Sequence, residues 1–69
     1  MKYYVNKTAQ KDSGDYEVHK EGCYWLSLAK DTEYLGDFEN CYGAVIEAKN
    51  RGYKTANGYV HCAELCHTG

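Results

Sequence analysis

Phe38-Glu39-Asn40-Cys41-Tyr42-Gly43-Ala44-Val45-Ile46-Glu47-Ala48-Lys49-Asn50-Arg51-Gly52 is the stretch that decides the fold. Phe38, Cys41, Ala44, Val45 and Ala48 recur at three- and four-residue spacing, which places them on one face of an α-helix. Asn40 is suited to the N-cap, because its side-chain oxygen can accept from a free amide of the first turn. Gly52 is suited to the stop, since glycine adopts the left-handed conformation that closes many helices. Glu47 and Arg51, four apart on the outer face, add a supporting ion pair. Gly43 lowers helix propensity by about 1 kcal/mol relative to Ala, so the first turn depends on packing.

Upstream of this helix the pattern changes to a period of two. Residues 2–6 read as a strand with Tyr3 and Val5 on one face and Tyr4 on the other. Ser13-Gly14 is turn chemistry. Asp15-Tyr16-Glu17-Val18-His19 alternates again, so Tyr16 and Val18 should face the core while Glu17 and His19 point away. Glu21-Gly22 breaks this second strand. Residues 24–32 read as an irregular loop anchored by Trp25 or Leu26, and residues 33–38 as a third short strand. Downstream of the helix, residues 54–58 read as a turn, Tyr59-Val60-His61 as a last strand, and residues 62–67 as a single helical turn or knuckle. The order β-β-β-α-β predicts one small α+β domain over residues 1–69: an antiparallel sheet of three to four strands packed on one helix.

At 69 residues the chain is near the lower limit for a self-sufficient hydrophobic core. That draws attention to two ligand-like pairs near its ends, His19-x-x-x-Cys23 and Cys62-x-x-x-Cys66. Zinc is held by thiolates and imidazoles in tetrahedral sites, usually as two short pairs joined by folding. Positions i and i+4 of a helical turn share a face, and a glycine-broken turn at a strand end can likewise aim two side chains at one point. The expected metal ligands are therefore His19, Cys23, Cys62 and Cys66, with zinc as the metal. His61 and His67 flank the second pair and compete for the histidine position. Cys41 lies on the apolar helix stripe and reads as core. Disulfide pairing is the alternative use of the four cysteines, with three pairings open.

The run Val18-His19-x3-Cys23, then Leu35-Gly36-x-Phe38-x2-Cys41-x2-Ala44-x3-Ala48, then Asn57-Gly58-x3-Cys62-x3-Cys66-His67, resembles a group of small bacterial proteins of unassigned function. More loosely, it is similar to the zinc-binding module of Ada-type DNA-repair proteins and to zinc modules appended to some bacterial nucleases. Those modules carry a Cys- or His-x3-Cys pair, a short helix with alanine on its inner face, and a closing Cys pair. The resemblance spans residues 18–67 and implies a zinc-stabilised domain. Two positions depart from it: the closing pair is x3 where the nuclease-type modules have x2, and Tyr59 stands where the small bacterial group has a further cysteine. In Ada one zinc thiolate accepts a methyl group from DNA, and this acidic chain has no basic platform for such a substrate.

Composition narrows the function classes. A net charge of −2 and scattered Lys and Arg argue against nonspecific nucleic-acid binding, which needs clustered cations. The chain has no apolar run long enough to span a membrane and no leader-like N-terminus, which points to the cytoplasm. There is no phosphate loop, nucleophile elbow or HExxH motif, and so small a domain rarely encloses a substrate pocket, so no enzymatic activity is expected. The eight tyrosines supply rings for a thin core and polar tips for its rim. The function these features favour is a small zinc-stabilised module that binds a protein partner. The alternatives are a nucleic-acid-associated zinc module of the Ada or nuclease-appended type, and an exported domain held by disulfides.

Overall fold

In the computed structural model, which describes residues 1–68, a four-stranded sheet in the order β3-β1-β2-β4 packs against one helix. The elements are β1 (Lys2–Asn6), β2 (Tyr16–Lys20), a short helix α1 (Tyr24–Leu28), β3 (Thr32–Asp37), α2 (Cys41–Asn50) and β4 (Ala56–Gly58). A 3-10 turn over Glu64–Cys66 follows. The α+β class read from the sequence is the class observed.

β1 is the centre of an antiparallel trio, with Val5 opposite Val18 on β2 and opposite Glu33 on β3. β4 is different. It runs parallel to β2, pairing Tyr16 with Ala56 and Val18 with Gly58, so the sheet is mixed and not antiparallel throughout. The topology requires this. β2 and β3 both oppose β1 and therefore share a direction, and α2 returns the chain to the end where β3 began. The next strand must then run with β3 and β2.

The position of β4 also departs from the expected Tyr59-Val60-His61. The strand is Ala56-Asn57-Gly58, all three buried. Bulk is excluded here: a Cβ at Gly58 would lie 2.6 Å from the Ala63 carbonyl oxygen and 2.7 Å from the Cys66 Cβ. Asn57 is held by its own hydrogen bonds, donating from Nδ2 to Asp15 Oδ2 (3.0 Å) and to the Thr68 carbonyl (2.8 Å), and accepting at Oδ1 from the Thr68 amide (2.9 Å). These bonds offset the cost of burying an amide and fasten the C-terminal segment to the sheet edge.

α2 carries the expected features. Asn40 Oδ1 accepts from the Tyr42 amide at 3.0 Å, and Gly52 follows the helix at φ +103°. Cys41, Ala44 and Ala48 are buried against Tyr3, Val5, Val18, Leu35 and Ala56, with Phe38, Val45 and Tyr53 closing the margin. Small residues on this helix bring its backbone close to the sheet, which suits a core whose largest fully buried side chains are Val5 and Val18. Gly43 has a packing reason, since a Cβ there would stand 2.9 Å from the Phe38 ring. At the far end Arg51 joins the helix to β3. Its guanidinium donates to Glu47 (2.7 Å), Glu33 (2.8 Å) and the Tyr34 carbonyl (2.9 Å). Tyr53 donates to the same Glu33 at 2.7 Å, and these donors hold the Glu33 carboxyl below its ordinary range.

Two local expectations are corrected. The irregular loop after Cys23 contains the one-turn helix α1, which buries none of its own residues. His19, expected to point away to solvent, does lie on the sheet face opposite Val18, yet it is only 2% exposed. The segment after β4 covers that face, with the Tyr59 ring 4.7 Å from the imidazole. Among the described residues no helix is long and apolar enough to cross a membrane.

Candidate metal centre

The last residues of β2 meet two turns at the end of that strand. His19 is the fourth residue of that strand. The chain then reverses through Lys20-Glu21-Gly22-Cys23, the Lys20 carbonyl accepting from the Cys23 amide at 3.2 Å. Gly22 takes φ +81°, as the third position of a type II turn requires. The reversal brings Cys23 back toward His19, as the glycine-broken spacing suggested. Cys62 arrives from the other end of the chain. It sits in a turn in which the Tyr59 carbonyl accepts from the Cys62 amide (3.2 Å) and the Ala63 amide (2.7 Å).

The outcome is one cluster. His19 Nδ1 lies 3.8 Å from Cys23 Sγ and 3.6 Å from Cys62 Sγ, and all three donor atoms fall within 4.8 Å of one another. These separations fit a single ion. A tetrahedral zinc with Zn–S of about 2.3 Å and Zn–N of about 2.0 Å sets its S and N ligands about 3.6 Å apart. His19, Cys23 and Cys62 are therefore close enough to bind a metal ion.

The protonation chemistry is consistent with that use. Burial holds the His19 imidazole below its ordinary range, so it is neutral at physiological pH and has a lone pair to give. Burial, together with a hydrogen bond to the Cys23 thiol, pushes the Cys62 thiol up to about 12. Without a cation it therefore keeps its proton, and a metal must displace that proton to bind.

Cys66, expected as the fourth ligand, is elsewhere. Its sulfur is bonded to Cys41, with the two Cα atoms 6.2 Å apart, and a disulfide sulfur has no thiolate charge to give a metal. The reason is local geometry. Cys62 and Cys66 would share a face on an α-helix, but the segment forms only a 3-10 turn over Glu64–Cys66. That turn directs Cys66 inward, toward the face of α2 that carries Cys41. Cys41 is core, as read, and is also one end of this cross-link. The two competing histidines are outside the cluster as well. His61 is exposed and stacks on Trp25, with ring centroids 5.7 Å apart and planes 25° from parallel. His67 Nδ1 is 2.9 Å from the Gly58 carbonyl oxygen.

Around the cluster stands an aromatic rim that the sequence reading did not assign. Tyr59 touches His19, and Trp25 meets both Tyr59 (6.1 Å between centroids) and Tyr24 (5.4 Å). The adjacency of Trp25 to Cys23, two residues apart, was the available signal. No protein-family model, curated protein or solved structure matches this chain.

Proposed function

We propose that the protein is a small zinc-stabilised interaction module, without catalytic activity of its own, that acts by binding a protein partner. The observation that carries this reading is the His19–Cys23–Cys62 cluster, whose S···N separations of 3.6 and 3.8 Å match a zinc coordination sphere. Two thiolates and an imidazole are donors that favour zinc over hard cations such as magnesium or calcium. The ion would join the end of β2, the start of α1 and the segment after β4, adding to the ring contacts of Tyr59 with His19 and Trp25. The partner surface is α1, where Tyr24, Trp25 and Leu28 are 67%, 42% and 55% exposed. Large exposed rings of this kind are enriched where proteins meet.

Native mass spectrometry tests the metal directly. The folded chain should carry one zinc, and chelation should remove it and loosen the fold around β2 and α1. A chain of apo mass that is indifferent to chelator would overturn the reading.

A second reading, an exported domain held by cross-links, is favoured by the Cys41–Cys66 disulfide, since such bonds persist mainly in oxidising compartments. It does not displace the first, because Cys23 and Cys62 are both free thiols. Thiol counting under denaturing, non-reducing conditions separates the cases. Two reactive thiols support a metal site beside one disulfide. Four would mean that the Cys41–Cys66 bond is absent and would count against the exported reading, and none would indicate a second disulfide in place of the metal.

A further inference from the structure

Zinc takes four ligands, and sites with three protein donors keep the fourth position for an external one. Among the described residues no further His, Cys, Asp or Glu joins His19, Cys23 and Cys62. Cys66 is bonded to Cys41 and His67 lies at the Gly58 carbonyl, while His61 stacks its ring on Trp25 and lies outside the cluster.

The side on which the sphere opens can be read from burial. His19 and Cys23 are buried, and Cys62 alone is partly exposed. Cys62 forms part of the wall of a surface cavity of about 520 Å³, together with Tyr3, Lys20, Glu39, His61 and Leu65. A ligand approaching the metal would come from that cavity.

Charge selects the kind of ligand. Two thiolates neutralise a divalent zinc, so the complex with neutral His19 carries no net charge. A third thiolate or a carboxylate would give the complex a net negative charge beside Glu39 and Glu64 of the cavity wall. A neutral nitrogen donor would not. The Tyr3 ring, the Leu65 side chain and the His61 ring give the cavity walls suited to a flat heterocycle. Resting on the metal reading above, we infer that the zinc keeps one coordination position open toward this cavity and that a neutral nitrogen ligand of the imidazole type can fill it.

The test uses the intact chain loaded with cobalt(II), whose visible absorption reports ligand number and type, and free imidazole as the probe. Imidazole should change the cobalt bands saturably while cobalt stays at one per chain. His61→Ala should begin from the same spectrum as the wild type, because His61 is not a ligand, and should need more imidazole for the same change, because one wall of the cavity is lost. Bands that ignore imidazole would overturn the inference, as would a His61→Ala spectrum that already differs before any imidazole is added. Failure to take up cobalt at all is a separate result, since it would remove the metal site itself.

Discussion

Cys23→Ser should abolish tight zinc binding and cost the domain most of its stability, and Cys62→Ser should do the same. Metal binding and folding are coupled in a small domain, because the unfolded chain offers no preformed site. Structural zinc contributes on the order of 10 kcal/mol of binding free energy. That is comparable to the whole net stability expected of a domain this size. His67→Ala is the control, since its imidazole lies at the Gly58 carbonyl and outside the cluster. It should leave zinc affinity unchanged. Isothermal titration with zinc and thermal unfolding by circular dichroism, run on all three variants, give both numbers. Equal zinc affinity in Cys23→Ser and the wild type would sink the assignment.

The same coupling fixes a pH dependence. Burial keeps the Cys62 thiol protonated up to about 12 when no cation is present. The proton is therefore bound in the apo state and released on metal binding. Zinc affinity should rise with pH and fall as the solution is acidified, by about tenfold per pH unit for each proton displaced. His19 contributes little to this slope near neutrality, because burial already holds it in the neutral form.

How legible the molecule was in its sequence depends on where a local pattern coincides with a local cause. α2 was legible from Asn40 to Gly52, because cap, stripe and stop are all short-range. The β1–β2 hairpin was legible for the same reason, with Val5 and Val18 on the shared face. β4 was not, because Ala56-Asn57-Gly58 has no strand signature, and its burial comes from β2 beside it and Cys66 above. Tyr59-Val60 has the stronger β character, yet Val60 is 40% exposed and Tyr59 turns away to cover His19. Alternation along β2 correctly put His19 opposite Val18. What it could not show is that the second face of the sheet is also covered, since that cover comes from residues some forty positions away. The residues of the candidate cluster divide in the same way. His19 and Cys23 are a local pair around a glycine turn, and Cys62 was legible as the far partner. Cys66 was misassigned because x3 spacing implies a shared face only on an α-helix, and its true partner Cys41 is separated from it by 25 positions with no local pattern to link them.

That pairing gives the second large effect. Cys41→Ala/Cys66→Ala should destabilise the domain by about 3.5 kcal/mol, the chain-entropy value for cysteines 25 positions apart. In a chain of this size the loss lowers the melting temperature by roughly 20–25 °C. Scanning calorimetry of the double variant against the wild type, both zinc-loaded, measures it. The cross-link joins the first turn of α2 to the last turn of the chain, so its loss should free the C-terminal segment, including the Gly58–Cys66 contact and the Asn57–Thr68 bonds at the β4 edge. It should not touch the His19–Cys23–Cys62 cluster, which lies at the end of β2, in the turn after it and in the turn after β4. The cobalt spectrum of the double variant should therefore equal that of the wild type. A variant that keeps its melting temperature but loses its cobalt bands would mean the reverse assignment, with Cys66 coordinating metal and Cys41 merely filling the core. Stability and spectrum together thus separate the two uses of cysteine in one chain.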